Sequence, residues 1–310
     1  MTFAVSPASV LAQPVSAWKA WVMAMRPKTL TAGAVPVGVG TALAYAQGLA
    51  KPLPALAALV GALLIQIGTN LTNDYYDFRR GADTVHRLGP TRVTQSGLIE
   101  PSRVLGGALL CFGLAMFTGI YLVAVAGVPI LLVGLVSILA GYAYTGGPFP
   151  LGYHGLGDVF VFVFFGLVAV EGTFYVQAHA FSWTVLCAAI PVGATGVALL
   201  AVNNLRDIPT DAAAGKRTLA VRFGERFAKR EYVVALLLSF AVPLALVLSR
   251  RVAPAALLAL LAMPAAIAPW KRVRGKNGAG SELNRALAET AKLQLLQGCL
   301  FALGIGWGGR

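Results

Sequence analysis

Nine apolar stretches, at residues 30–45, 55–72, 104–124, 128–144, 156–176, 181–202, 232–248, 252–269 and 286–305, constrain this chain more than any other feature. The hydrocarbon layer of a bilayer is about 30 Å thick, and a helix needs roughly 20 predominantly apolar residues to cross it. In lipid every backbone N–H and C=O must be paired within the chain, so stretches of this length are read as helices. A mean hydropathy of +0.74, with 57% hydrophobic and 12% charged residues, excludes an ordinary water-soluble enzyme. The expected fold class is all-α: a polytopic membrane protein of about nine transmembrane helices surrounding a central cavity open to the cytoplasmic side. Residues 1–17 are expected to be a poorly ordered tail and 18–310 a single domain.

The net charge of +13 raises nucleic acid as a partner, and the placement of the cations argues against it. With the N-terminus in the cytoplasm, that side receives Lys19, Arg26 and Lys28, then Arg79 through Arg103, Arg206 through Arg230, and Lys271 through Arg285. The opposite side keeps Lys51, Arg250, Arg251 and Arg310. That asymmetry follows the positive-inside rule for a chain that starts inside and crosses an odd number of times. The partner it implies is the lipid bilayer of a bacterial cytoplasmic (inner) membrane. Cys111, Cys187 and Cys299 lie in separate stretches, a spacing that indicates neither a disulfide framework nor a cysteine metal site. Nothing in the sequence specifies an oligomer.

Two polar clusters stand where apolar stretches end. Asn70, Asn73, Asp74 and Asp77 close the second, and Asn203, Asn204, Asp207 and Asp211 close the sixth; they hold four of the twelve acidic residues. Both stretches run in the same direction, so both clusters emerge on one face, and a parallel internal repeat would bring them together. On a helix, residues three or four apart share a face, which pairs Asp74 with Asp77 and Asp207 with Asp211. Four converging carboxylates repel one another. One or two Mg²⁺ ions would remove that repulsion, and their open coordination positions suit the oxygens of a diphosphate. Asn and Asp are also common helix caps, but two such clusters at equivalent ends, at a membrane boundary, favour function. Asn70, Asn73 and Asn204 are neutral ligands or hydrogen-bonding supports. Arg79, Arg80, Arg87 and Arg92 follow the first cluster, and Lys216, Arg217 and Arg222 the second, so a phosphorylated ligand would be gripped from two sides. The segments near 78–103 and 212–231 are read as cytoplasmic lid loops.

From Arg26 to the last apolar stretch the chain resembles the UbiA superfamily of intramembrane prenyltransferases. Asn73, Asp74 and Asp77, with a third acid delayed to Asp83, resemble its NDxxDxxxD signature, and Asp207 with Asp211 resembles its DxxxD signature. The wide step from Asp77 to Asp83 departs from the general signature, resembles the menaquinone-pathway branch, and leaves a ligand role for Asp83 open. Segments 26–30, 89–97, 144–158 and 203–219 carry the same likeness.

The resemblance implies Mg²⁺-dependent transfer of a polyprenyl group from polyprenyl diphosphate to 1,4-dihydroxy-2-naphthoate, with release of pyrophosphate and carbon dioxide, to give demethylmenaquinone. It implies catalytic and metal-binding roles for Asp74, Asp77, Asp207 and Asp211, with Asn73 as a further ligand. Asn70, Asn73, Asn204, Arg92, Lys216 and Arg217 would bind substrate at the diphosphate end, and Arg26, Lys28, Tyr142 and Tyr144 at the aromatic acceptor. Phe160, Phe162, Phe164 and Phe165 would line the tunnel for the chain. Asp158 and Glu171 have no assigned step. Two alternatives stand beside this reading: another aromatic acceptor such as 4-hydroxybenzoate, and a cation-coupled secondary transporter. The position of both clusters at one membrane face, rather than near the midplane, argues against the transporter.

Overall fold

The computed structural model describes residues 15–83, 88–275 and 280–308. Of the expected N-terminal tail only residues 15–17 fall within that range; Arg87 and Arg310 lie outside the described residues. Helix α1 (Ala17–Met25) is capped by the Ser16 side chain. At Arg26 the backbone takes φ 51°, and a short 3₁₀ turn (Pro27–Thr29) leads into α2 (Thr31–Ala46) with a bend of 49°. There follow α3 (Pro52–Arg79), α4 (Pro101–Ala126) and α5 (Val128–Ala143), the first two opening on a proline whose missing N–H costs nothing in a first turn. The next span is composite: α6 (Gly157–Val161), a π-helical segment (Phe162–Val168) and α7 (Ala169–Ala178). Then come α8 (Trp183–Ala213), α9 (Leu219–Phe223) and α10 (Glu225–Leu248). A 3₁₀ run (Pro254–Ala262), α11 (Met263–Arg274) and α12 (Gly280–Trp307) complete the chain.

Every apolar stretch is therefore helical. Among the described residues, six helices or helical runs are long and apolar enough to cross a membrane, and the bent α1–α2 pair makes a seventh. The other two stretches are α5, which has 16 residues, and α12, where Gln294 and Gln297 lower the hydropathy. Those glutamines are buried against neighbouring helices: Gln294 accepts from the Thr31 hydroxyl at 3.3 Å, and Gln297 donates to the Ser239 carbonyl. Large apolar side chains such as Phe117 and Leu139 point outward, a surface suited to lipid.

The segment expected to be a second lid loop, 212–231, is largely helical. Thr218 caps α9 through the Val221 N–H (3.3 Å), Gly224 at φ 80° breaks the chain, and α10 starts at Glu225, well before its apolar stretch. Hydropathy marks where a helix meets lipid; here the helices continue beyond it.

α3 packs along α4, α8 along α10, and α2 against α7 and α12. The π-helical segment lies against α8 at Gly166 and Gly193, where a Cβ on Gly166 would stand 2.7 Å from the Gly193 Cα. Backbone meets backbone there, so no side chain can yield. Gly166→Ala is expected to lower stability in detergent by about 1–3 kcal/mol, the usual cost of overpacking. An unchanged thermal-unfolding midpoint would show that the contact is dispensable.

Between α2, α3, α4, α5 and the π-helical segment lies an apolar cavity of about 560 Å³, reaching along α5 from Ile130 to Tyr144. Phe160, Phe164 and Phe165 line it, as the sequence suggested. Phe162 does not: its carbonyl and ring pack against Gly193 of α8, since a residue two positions from both Phe160 and Phe164 lies on another side of the helix.

Candidate active site

The last three turns of α3 present Gln66, Asn70, Asp74 and Asp77 at helical spacing, and all four are buried. Each acid has specific partners. Asp74 accepts from the backbone N–H groups of Val93 (3.3 Å) and Thr94 (3.1 Å), which ties α3 to the segment that follows it. Asp77 accepts from the Tyr153 hydroxyl at 2.9 Å and from Arg92 at 3.3 Å, and Arg92 also pairs with Asp83 at 3.1 Å. Arg92 is buried, and its Nη1 has no hydrogen-bond partner among the described residues. Asn73 accepts from the Thr145 hydroxyl at 2.7 Å. Asn70 donates to the Met25 carbonyl (2.9 Å) and to Thr29 (3.0 Å), and its own carbonyl accepts from Arg26 (3.4 Å), so it joins α3 to the bend before α2.

The second cluster occupies the last turns of α8, which continues past Pro209. Asp207 and Asp211 are buried, as is Asn204. Arg206 donates to both Asp207 oxygens (2.7 and 2.6 Å), to Asn203 (2.8 Å) and to Asn284 of α12 (2.8 Å). Asn284 in turn donates to the Leu88 carbonyl at 2.8 Å. Lys216 lies 3.6 Å from Asp211.

Tyr153, in a 3₁₀ turn (Leu151–His154), joins the clusters. Its hydroxyl serves Asp77, its ring lies 5.5 Å from the Lys216 ammonium and 5.1 Å from the Arg80 guanidinium, and its carbonyl accepts from the Arg217 N–H. Burial, followed by the negative field of Asp77, pushes the Tyr153 phenol well above its ordinary range, so it stays protonated and donates. Tyr144 lines the cavity and stands in the fields of Asp158, Asp77 and Asp211, where apolar space meets both clusters. Tyr142 shares a hydrogen bond with Tyr76.

Most residues picked from the sequence thus gather at one end of the bundle. Two do not turn inward: Lys28 and Arg217 are exposed. Arg206, Asn284 and the Val93 and Thr94 amides were not foreseen. Arg206 beside Asp207 was the visible signal among them; α12 carries no motif that would single out Asn284.

The donor set suits a hard cation. Oxygen ligands come in two carboxylate pairs with neutral amides nearby, and among the described residues no three acids, histidines or cysteines already converge on one point. Mg²⁺ typically takes one or two carboxylates and leaves its other positions to water and phosphate, so a site completed by a phosphorylated ligand fits this arrangement.

Known proteins share both sequence and fold with this chain. The model of the UbiA prenyltransferase family matches residues 34–290. The 1,4-dihydroxy-2-naphthoate octaprenyltransferase of Escherichia coli K12 is 43% identical over 240 residues, 76% of this chain and 78% of its own length. The enzyme of the same name from Mycobacterium tuberculosis H37Rv is 40% identical over 280 residues, 89% of this chain and 93% of its own. In fold, a UbiA homolog from Archaeoglobus fulgidus bound to GPP and Mg²⁺ superposes with a TM-score of 0.62 at 14% identity, over 91% of this chain and 99% of the other. The apo UbiA homolog from Aeropyrum pernix K1 gives 0.67 at 12% identity, over 88% and 97%. With two acid clusters at one end of an all-helical membrane bundle and these relatives over most of its length, the chain belongs to the UbiA prenyltransferase family.

Proposed function

We propose that this polyprenyltransferase moves a polyprenyl group from its diphosphate to 1,4-dihydroxy-2-naphthoate, releasing pyrophosphate and carbon dioxide and giving demethylmenaquinone in its reduced, quinol form. The observation that carries the proposal is the junction at Tyr144, which lines the apolar cavity while Asp77 and Asp211, one acid from each buried cluster, lie close enough to act on its phenol electrostatically. Such a junction can hold a ligand that is apolar along its chain and highly anionic at one end. The names of the relatives from E. coli and M. tuberculosis support the naphthoate as acceptor.

Asp74, Asp77, Asp207 and Asp211, with Asn73, would hold Mg²⁺, with Asp83 as a further candidate; that the A. fulgidus UbiA homolog is bound to GPP and Mg²⁺ supports a divalent metal in this family. Once bound, Mg²⁺ supplies stabilisation of the negative charge that grows on the departing pyrophosphate. Arg92 and Lys216, with Arg80, bring positive charge to the same end. Asn70 and Asn204 support the substrate, and Arg26 with Tyr142 and Tyr144 lies within reach of the acceptor side. As the bond from the diphosphate oxygen to the allylic carbon breaks, that carbon gains cationic character and the electron-rich ring attacks it. Loss of the ring carboxylate as carbon dioxide restores aromaticity. The chain itself occupies the cavity and continues into lipid, since water would not accept it. We place the acid clusters on the cytoplasmic side of the inner membrane, with the segments near 78–103 and 212–231 as lids over a single domain, the second of them largely helical.

The test is purified protein with Mg²⁺, a polyprenyl diphosphate and a panel of aromatic acids, with product masses and the fate of a labelled carboxyl recorded. The naphthoate is expected to exceed 4-hydroxybenzoate by about 10- to 200-fold in kcat/KM, since each missing apolar contact costs on the order of 1–3 kcal/mol. Comparable efficiency with 4-hydroxybenzoate would overturn the acceptor assignment. Label retained in the product would overturn decarboxylation. Uptake of a solute into liposomes without prenylated product would replace the whole reading with transport.

A further inference from the structure

Asp158 belongs to neither motif, yet it is 5% exposed and its Oδ1 has no hydrogen-bond partner among the described residues. It follows Gly157 at the start of α6, and with Val161 and Phe165 it forms an i, i+3, i+7 series. Val161 and Phe165 line the apolar cavity, so Asp158 heads the stripe that forms this wall. The Tyr144 hydroxyl closes the same corner: a Cβ on Gly157 would stand 2.8 Å from it, and Tyr144 is itself part of the lining. The charge of Asp158 acts on Glu231 of α10, a second acid, and no salt bridge among the described residues pairs a cation with Asp158. A buried carboxylate oxygen without a donor is costly. Asp158 lies in the first turn of the 22-residue helical run that starts at Gly157, where the helix N-terminus and a backbone N–H favour a carboxylate, but Oδ1 itself is left without a donor. A ligand that brings a donor would offset that cost.

We infer that Asp158 Oδ1 receives a ring hydroxyl of the aromatic acceptor, and that Tyr144 and Asp158 together hold the ring where the cavity meets the acid clusters. This rests on the prenyl-transfer reading above and adds a catalytic residue to it. The hydroxyl proton passes to Asp158 Oδ1 while its bonding pair feeds the ring carbon that bonds to the allylic carbon. The C–O bond to the diphosphate breaks with its pair leaving on pyrophosphate. The carboxylate then departs as carbon dioxide, its C–C pair restores the aromatic ring, and the oxygen recovers the proton from Asp158. No net proton is consumed, so Asp158 ends each turnover as it began.

The test compares equilibrium binding of 1,4-dihydroxy-2-naphthoate and its two mono-deoxy analogues to the full chain in detergent. A hydrogen bond to a charged group is worth enough that the wild type should bind one analogue about 10- to 100-fold more weakly than the parent acid. Asp158→Asn should shrink that preference to within about threefold, while Glu171→Gln should leave it intact. Binding of polyprenyl diphosphate and the Mg²⁺ half-saturation should be unchanged in Asp158→Asn, which also shows that the variant is folded. Equal binding of all three acids by the wild type would overturn the inference without recourse to any variant. So would a full preference retained in Asp158→Asn, or a shifted Mg²⁺ requirement, which would place Asp158 at the metal instead. A wild type that binds the acids with the expected preference but forms no prenylated product would refute the proposed reaction and leave the hydroxyl site standing.

Discussion

Asp74→Ala, Asp77→Ala, Asp207→Ala and Asp211→Ala are each expected to lower turnover by about two to three orders of magnitude, the loss seen when one preorganised electrostatic stabiliser is removed. All four acids are buried, so each substitution removes a charge that water does not replace. The accompanying damage should differ. Asp74 anchors the Val93 and Thr94 amides, so its loss also frees the segment that follows α3. Asp207 is held by Arg206, so removing it leaves a buried guanidinium with only Asn203 and Asn284 as partners, and this variant should be the least stable of the four. Initial rates across a Mg²⁺ titration, with thermal unfolding alongside, separate loss of chemistry from loss of fold. Full activity in EDTA would remove the metal from the mechanism altogether.

The acid clusters were legible in the sequence because their signal is local. Helical spacing puts Asp74 with Asp77 and Asp207 with Asp211 on common faces, and both pairs fall where hydropathy ends. What holds those acids was not legible, since the contacts cross long stretches of chain. Tyr153 reaches Asp77 from 76 residues away, and Asn284 reaches Arg206 from 78. No periodicity announces such contacts; they exist only once α3, α8 and α12 share one end of a bundle. Lys28 and Arg217 show what charge near a motif does not decide. A cation at a membrane boundary also satisfies topology, and these two side chains are exposed. Phe162 does not line the cavity. It stands two residues from both Phe160 and Phe164, and at helical spacing that separation turns it away from the face they share.

Arg92→Ala is expected to cost about 3–5 kcal/mol of stability without ligand, because Asp77 and Asp83 lose the buried cation they share. It should also weaken binding of polyprenyl diphosphate far more than Arg226→Ala or Lys229→Ala. Lys229 makes a surface i,i+4 pair with Glu225 at 2.7 Å, and such pairs are worth only about 0.3–0.5 kcal/mol. Arg92 offers more than proximity, since its Nη1 is buried without a hydrogen-bond partner among the described residues and, on the proposed reading, would donate to a phosphate oxygen. The two roles predict opposite responses to metal. If Arg92 serves mainly to neutralise Asp77 and Asp83, added Mg²⁺ should restore most of the lost stability, because the cation takes over the same oxygens. Diphosphate affinity should recover less, because Mg²⁺ cannot replace the guanidinium donor. Thermal unfolding and diphosphate binding across one Mg²⁺ series measure both quantities on the same protein. Equal losses from all three substitutions would mean that only net positive charge matters at this end of the bundle. Full recovery of affinity by Mg²⁺ would reduce Arg92 to a counter-ion for the acids.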